Sequence, residues 1–379
     1  MKKDILIKLL ILILLFNSQL LFSKYLDSKS CNECHPTIYK EHASSMHHKS
    51  SIYTDEIHTK MKEAISPRKY ACAICHTPAV KNLRPLMQGK SQPSEFDHRL
   101  KDGVSCSYCH QISKVIFTKQ KGVNFSTMND KLKPTFFGNL ESPESSSKHN
   151  SSSNNSNYVN SKVCMGCHSH KINKNDIQIC STLDEVGQTS DCISCHMPKK
   201  KGTPTKLNAK ARVEYTSHEF LGIHSEQMVK QAIELKLKQL SNNSFELYIK
   251  NKMGHSIITQ PMRLKYAKTE ILRDKKIIWQ NFDKNPYKDK DTTFSIVFKD
   301  INNKPTFPAF AKGYIYNNNL KSKEEKRVIY KLKELKKGDI IKSTWVSYII
   351  APKIAKKLDI TDKELTKQIL GQTVQLKIK

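Results

Sequence analysis

Beyond residue 22 the sequence has no apolar run long enough to cross a bilayer as a helix. Apolar residues are scarce throughout: 37% of the 379 residues are hydrophobic and 26% are charged. A chain of this length can form two or three domains, but this one is short of apolar surface for their cores. A bound group bringing apolar surface of its own would relieve that shortage. Acidic residues are also few, 35 against 64 Lys and Arg, so the formal charge is +29. Such a balance raises nucleic acid as a partner. The lysines are scattered and form no single block, so the expectation is no nucleic acid. A solvated basic surface that attracts acidic proteins, anions or anionic lipid headgroups is expected instead. Cysteine is absent after Cys195, and the last histidine is His255.

The N-terminus reads as a secretory signal over residues 1–23. Lys2, Lys3 and Lys8 form a basic start, Leu9 to Phe16 and Leu20 to Phe22 are apolar, and Ser23 is a small residue at a cleavage point. Ile5 to Phe22 spans 18 residues, so an uncleaved anchor stays open. No cysteine follows the cut directly, which removes lipid attachment there. The expectation is an exported, periplasmic protein whose membrane association would run only through this segment.

Ten of the 11 cysteines fall into five Cys-x-x-Cys-His units. These are Cys31, Cys34, His35; Cys72, Cys75, His76; Cys106, Cys109, His110; Cys164, Cys167, His168; and Cys192, Cys195, His196. A random chain of this composition would hold about 0.01 such units, and the pattern is the attachment signature of c-type haem. Two thiols form thioethers to the vinyl groups on one porphyrin edge, and the adjacent histidine ligates the iron. Zinc sites and a disulfide framework are the competing readings. Neither accounts for a histidine directly after every pair. Five haems would bring about ten propionate charges against the basic excess. Cys180 is left over with no role. No unit ends in lysine, one mark of a catalytic iron in multihaem reductases, which tilts the reading towards electron transfer.

Of 15 histidines, five are proximal ligands and ten remain: His42, His47, His48, His58, His98, His149, His170, His218, His224 and His255. Bis-histidine ligation needs at most one of these per haem. Met46 and Met197 lie close to haem units and stay open as ligands, and methionine would raise the potential.

Several segments resemble multihaem cytochromes similar to the tetrahaem electron acceptor of hydroxylamine oxidoreductase. Ser45-Met46-His47 resembles their Ser-x-His segment, and Asp102-Gly103-Val104-Ser105 their acidic-Gly-Val lead into a mid-chain haem. Cys195-His196-Met197-Pro198, Ser217-His218-Glu219-Phe220-Leu221-Gly222 and Gly254-His255-Ser256-Ile257-Ile258-Thr259 resemble further segments, although Ile258 stands where proline is usual. The resemblance covers most of residues 28–270. It implies distal ligands at His47, His218 and His255, and a further one at His149, where relatives also place a histidine. His98 is chosen from its proximity to the third unit, with His224 and His170 in reserve. The family's common role is electron transfer, and some relatives are reductases or oxidases of small nitrogen or sulfur compounds.

The expected fold class is α+β. Residues 24–224 should form a pentahaem domain of short helices and loops around stacked haems, with a Ser/Asn-rich loop at 141–157. Residues 225–240 suit a connecting amphipathic helix, with passage into a strand left open, on the pattern of Met228, Ala232, Ile233, Leu235, Leu237 and Leu240. Residues 241–379 show alternating strands and suggest a β-sandwich-like domain, interrupted by one helix near Lys353 to Leu370. That domain would cap the haem stack and could dock a partner. Trp279 and Trp345 read as core residues.

The leading functional expectation is an electron carrier between redox proteins that are acidic or membrane-associated. An enzyme with one open haem, acting on a small nitrogen or sulfur compound, is the alternative. A docking subunit of a larger conduit is the third reading.

Overall fold

The computed structural model describes residues 25–118, 122–126, 133–153, 155–182, 191–205 and 211–379. The expected signal, residues 1–23, lies outside the described residues. So do the side chains of His170 and Cys180.

The fold is α+β, in the order the sequence suggests. Up to residue 205 the chain is built of short pieces. The helices there are α1 (Pro36–Ser44), α2 (Glu56–Ile65), α3 (Ala73–His76), α4 (Leu83–Gln88), α5 (His98–Lys101), α6 (Cys106–His110), α7 (Ser156–Val159) and α8 (Cys192–His196). Three two-stranded ribbons lie between them: β1 (Ile112–Phe117) with β2 (Gly122–Ser126), β3 (Thr135–Phe137) with β4 (Asn150–Ser152), and β5 (His170–Ile172) with β6 (Gln178–Ser181). A fourth pairs β7 (Lys199–Lys201) with β8 (Glu214–Thr216).

The haem units coil because their spacing is helical. Positions i, i+3 and i+4 share one face of a turn, so two thiols and an imidazole point the same way. The turn is closed by i+4 backbone bonds such as His35 N to Cys31 O at 2.9 Å and His168 N to Cys164 O at 2.9 Å. Polar caps start the turns: Ser105 Oγ accepts from Tyr108 N, and the Asp191 carboxylate accepts from Ser194 N.

The Ser/Asn-rich stretch at 141–157 is folded by its own side chains. Ser151 Oγ donates to Glu144 O at 2.8 Å, and Ser145 Oγ accepts from Ser151 N at 2.9 Å. These local bonds turn the chain and set β4 parallel to β3, so the tract is a structured crossing and not a free linker.

The connecting helix is shorter than expected. α9 (Glu226–Ala232), capped by Ser225, ends as Ile233 turns extended, and β9 (Ile233–Ser241) follows. Ile233, Leu235 and Leu237 alternate with Glu234, Lys236 and Lys238, which is a strand period, and β9 pairs with β10 (Ser244–Asn251). The helix expected near Lys353 to Leu370 is two short ones, α10 (Pro352–Lys357) and α11 (Lys363–Thr366), separated at Asp359, whose φ is +53°.

The C-terminal domain is a sandwich of two antiparallel sheets. One runs β16 (Glu325–Lys331), β10, β9. The other contains β11 (Leu264–Arg273), β12 (Lys276–Gln280), β13 (Thr293–Lys299), β14 (Pro305–Thr306), β15 (Gly313–Asn318), β17 (Ile340–Tyr348) and β18 (Ile369–Lys377). Leu235, Leu247 and Ile249 of the first sheet pack on Ala267, Phe294, Trp345 and Ile369 of the second. Each large apolar side chain so buried contributes about 1.5–3 kcal/mol. Trp345 is core, as expected, and Trp279 packs partly buried on Phe245 and Tyr330.

The sandwich locks onto the haem-unit region in two places. The Glu56 carboxylate, at the start of α2, accepts from Thr361 N and Asp362 N at 3.0 and 2.8 Å, while Ile57 and Met61 pack against Ala355 and Leu358. On another face Asn173 donates to Pro308 O and Ala311 O, both at 2.9 Å.

Candidate functional site

Each of the five proximal histidines faces a second histidine. The pairs are His35–His149 at 6.4 Å between ring centres, His76–His58 at 4.6 Å, His110–His218 at 6.1 Å, His168–His47 at 5.9 Å and His196–His255 at 6.3 Å. Two imidazole nitrogens at about 2 Å from one metal leave ring centres about 6 Å apart. Four pairs therefore stand at ligating separation. His58–His76 is closer, and α2 would have to yield slightly outward.

The hydrogen bonds fix which nitrogen is free. Nδ1 of His110 donates to Phe137 O at 2.8 Å, Nδ1 of His218 to Thr216 O at 2.9 Å, and Nδ1 of His255 to Ser256 O at 2.8 Å. His196 Nδ1 donates to Leu221 O. A carbonyl can only accept, so Nδ1 carries the hydrogen and Nε2 keeps its lone pair for a metal. His58 Nδ1 donates to the Asp55 carboxylate at 2.6 Å, the carboxylate–histidine arrangement that orients a ligand. Burial, followed by neighbouring histidines, pushes His47 and His76 down to about 3; burial likewise takes His168 and His218 to about 4. These rings are neutral at neutral pH, the state a ligand requires.

Of the distal residues expected from sequence, His47, His149, His218 and His255 each stand opposite a proximal ring. His98 does not. It is exposed on α5, and among the described residues no ring contact involves it. The place expected for it is filled otherwise: His218, not His98, faces His110 of the third unit, and His76 is faced by His58. Sequence reasoning left His58 unassigned. Its signal was Asp55, which caps α2 through His58 N and binds the same residue's ring. Phe220 was also unassigned a role. It is held at φ +50° with its ring 4.1 Å from that of His47 and 5.9 Å from that of His218. The reserve His224 is pushed down to about 4 by burial, with Arg263 beside it, and among the described residues no ring contact involves it.

The thiols of separate units also meet. Cys31 hydrogen-bonds Cys106, Cys164 hydrogen-bonds Cys192, and Cys75 hydrogen-bonds Cys167. Cys109 and Cys164 share one apolar cluster with Ile112, Tyr158 and Val163. The first unit thus adjoins the third, the third the fourth, and the fourth both the second and the fifth. Buried imidazoles in facing pairs, free Nε2 atoms and paired thiols on one helical face fit covalent haem. Among the described residues all ten thiols are free of disulfides.

Residues 30–111 match the family model described as cytochrome c554 and c-prime. The chain is a multihaem c-type cytochrome, and its first three haem units are similar to this family. It is also similar in structure to a penta-heme cytochrome c552 from Thermochromatium tepidum, with a TM-score of 0.75 at 20% identity, over 94% of this chain and 100% of that one. No curated protein matches the sequence. At that identity the structural likeness shows the shared fold, sandwich included. The cytochrome binds haem c covalently, as its units indicate. Cytochromes of this class are usually extracytoplasmic, and among the described residues no helix is long and apolar enough to cross a membrane.

Proposed function

We propose that the protein carries five haems, each held by a Cys-x-x-Cys-His unit and a distal histidine, and relays electrons between redox proteins in the periplasm. The assigned distal ligands are His149, His58, His218, His47 and His255 for the first to fifth units. The observation that carries this reading is the facing of every proximal ring by a second histidine. Haem c supplies one-electron ferric–ferrous chemistry. The chain's residues close both faces of each metal position, exclude small molecules and bring neighbouring units into contact through their cysteines. Burial and Nδ1 hydrogen bonds hold the rings in place in either redox state, which keeps reorganisation small.

A basic surface, 64 Lys and Arg against 35 Asp and Glu, suits acidic partners. Reduced protein mixed with an acidic redox protein should be reoxidised quickly, and the rate should fall as salt rises. Nitrite, hydroxylamine or sulfite should reoxidise it slowly. Rapid multiple turnover with one of these would favour the alternative, a reductase or oxidase with one open haem. That reading has a place in the fold: the second unit, where His58 and His76 at 4.6 Å depart most from the separation of the other pairs.

A further inference from the structure

The Asp-Gly-Val lead into the third unit does more than precede a haem. Gly103, at φ +63°, lies flat against the backbone of His47 and His48; a Cβ there would sit 2.3 Å from His47 O and 2.5 Å from His48 O. Val104 N donates to His47 O at 2.9 Å, and His42 Nε2 donates to Val104 O at 2.9 Å. This double clamp fixes Asp102 beside His42 and His48. None of these three residues is used by the haem pairs.

The chemistry left over at this point is a set of two imidazoles and a carboxylate. Because His42 Nε2 donates to a carbonyl, Nδ1 of the neutral ring is a bare lone pair. That ring is 3% exposed and its Nδ1 has no hydrogen-bond partner. Nδ1 of His48 is likewise buried without a hydrogen-bond partner, and it stands 3.4 Å from Asp102 Oδ1. That separation is long for a hydrogen bond to a carboxylate. It is the edge expected between two ligands at about 2 Å from one tetrahedral ion, about 3.3 Å. One donor atom from each of His42, His48 and Asp102 lies within 4.8 Å of the others. The other Asp102 oxygen accepts from Ser28 N at 2.9 Å, which fixes the carboxylate.

We propose that His42, His48 and Asp102 form a further metal site, separate from the haem irons, that takes one divalent first-row transition ion. Two imidazoles and one carboxylate suit zinc, iron, nickel or copper. Calcium and magnesium want oxygen ligands, and two of the three donors here are nitrogen. With three protein ligands, the ion keeps a position for water. It sits in the segment that carries His47, so it braces that distal ligand and adds positive charge beside it. A cation also resolves the buried lone pair on His42, which an acidic group such as a haem propionate would repel.

The test uses the purified, haem-loaded full chain, treated with a chelator, incubated with Zn²⁺ and passed through gel filtration. Elemental analysis then gives zinc per chain, with haem measured in the same sample. The expected result is one zinc per chain, falling to none in His48→Gln and in Asp102→Asn at unchanged haem content. Should Asp102→Asn fail to take up haem, His48→Gln alone decides, because His48 is half-buried and His47 keeps its own contacts. Failure of the loaded chain to retain zinc would overturn the proposal and leave His48 and Asp102 as an ion pair. Zinc retained equally by both variants would overturn it as well, by placing the ion elsewhere. Haem content and low-spin spectra are read separately, so failure of the metal site is distinguishable from failure of the haem assignment.

Discussion

His58 and His98 are both helical histidines close to haem units, yet only one has a partner. His58 has its Nδ1 hydrogen held by Asp55 and its ring against His76, while His98 is exposed. In the oxidised protein, His58→Ala should convert one low-spin haem to high-spin and let it bind cyanide. His98→Ala should leave the spectrum unchanged. The reverse result would restore the ligand set expected from sequence. A second residue-scale outcome concerns Gly103. Alanine there meets two backbone carbonyls at 2.3 and 2.5 Å and must hold φ +63°, so Gly103→Ala should cost about 2 kcal/mol or more and lower the yield of haem-loaded protein. Normal yield and thermal stability would mean the clamp is loose. The Cys-x-x-Cys-His units can be read from the sequence, because covalent attachment demands a fixed local spacing. The histidines that face them are harder to read, because any fold can deliver a single histidine from anywhere in the chain. His47, His149, His218 and His255 could be picked by resemblance to known segments. His58 belonged to no such segment, and proximity in sequence misled for His98.

At the scale of elements, local polar chemistry sets the boundaries. Ser105, Asp191 and Asp55 each start a helix that carries a haem-unit residue or its facing histidine. Glu41 on α1 ties a distant hairpin to the same site: it accepts from Lys200 at 2.8 Å, Tyr215 at 2.9 Å and His218 N at 2.8 Å. Burial alone would raise its pKa, but these bonds outweigh it and hold the carboxyl below its usual value. In the sandwich, Arg273 grips the buried Asp339 with two bonds of 2.7 and 2.8 Å. The Arg273 hydrogen bonds, against the opposing effect of burial, hold the Asp339 carboxyl below its ordinary value. A lowered folded pKa gives stability that is full above the unfolded value, about 4, and is lost as pH falls through the folded one. Asp339→Asn should therefore be less stable than wild type to guanidinium at pH 7, measured by circular dichroism, with the gap closing below about pH 4. A gap that persists undiminished at acid pH would show that the pair acts by shape and not by charge. Strand alternation in residues 241–379 was plain in the sequence. Where the helix of 225–240 passes into a strand is not legible, because Ala232, Ile233 and Leu237 fit a helical face and a strand face equally well over so short a stretch. Pairing with β10 decides for the strand.

For the whole molecule, the shortage of apolar residues finds its counterpart in the division of the chain. The sandwich gathers the largest apolar cluster around Trp345, while the haem-unit region holds only small ones. There the cofactor must supply the missing core, which is why the fold class was legible and the packing of that half was not. The sandwich is more than a cap, since it brings His255 against His196 and grips α2, which carries His58. The cysteines of neighbouring units already lie side by side, so the proposed electron flow between units needs no large motion. The central claim is that every iron is closed by two histidines. It is tested most directly by electron paramagnetic resonance of the oxidised, purified protein, with haem counted per chain in the same sample. Five haems with only low-spin signals is the result the account predicts. A high-spin iron in the wild-type protein, or fewer than five haems, would contradict it.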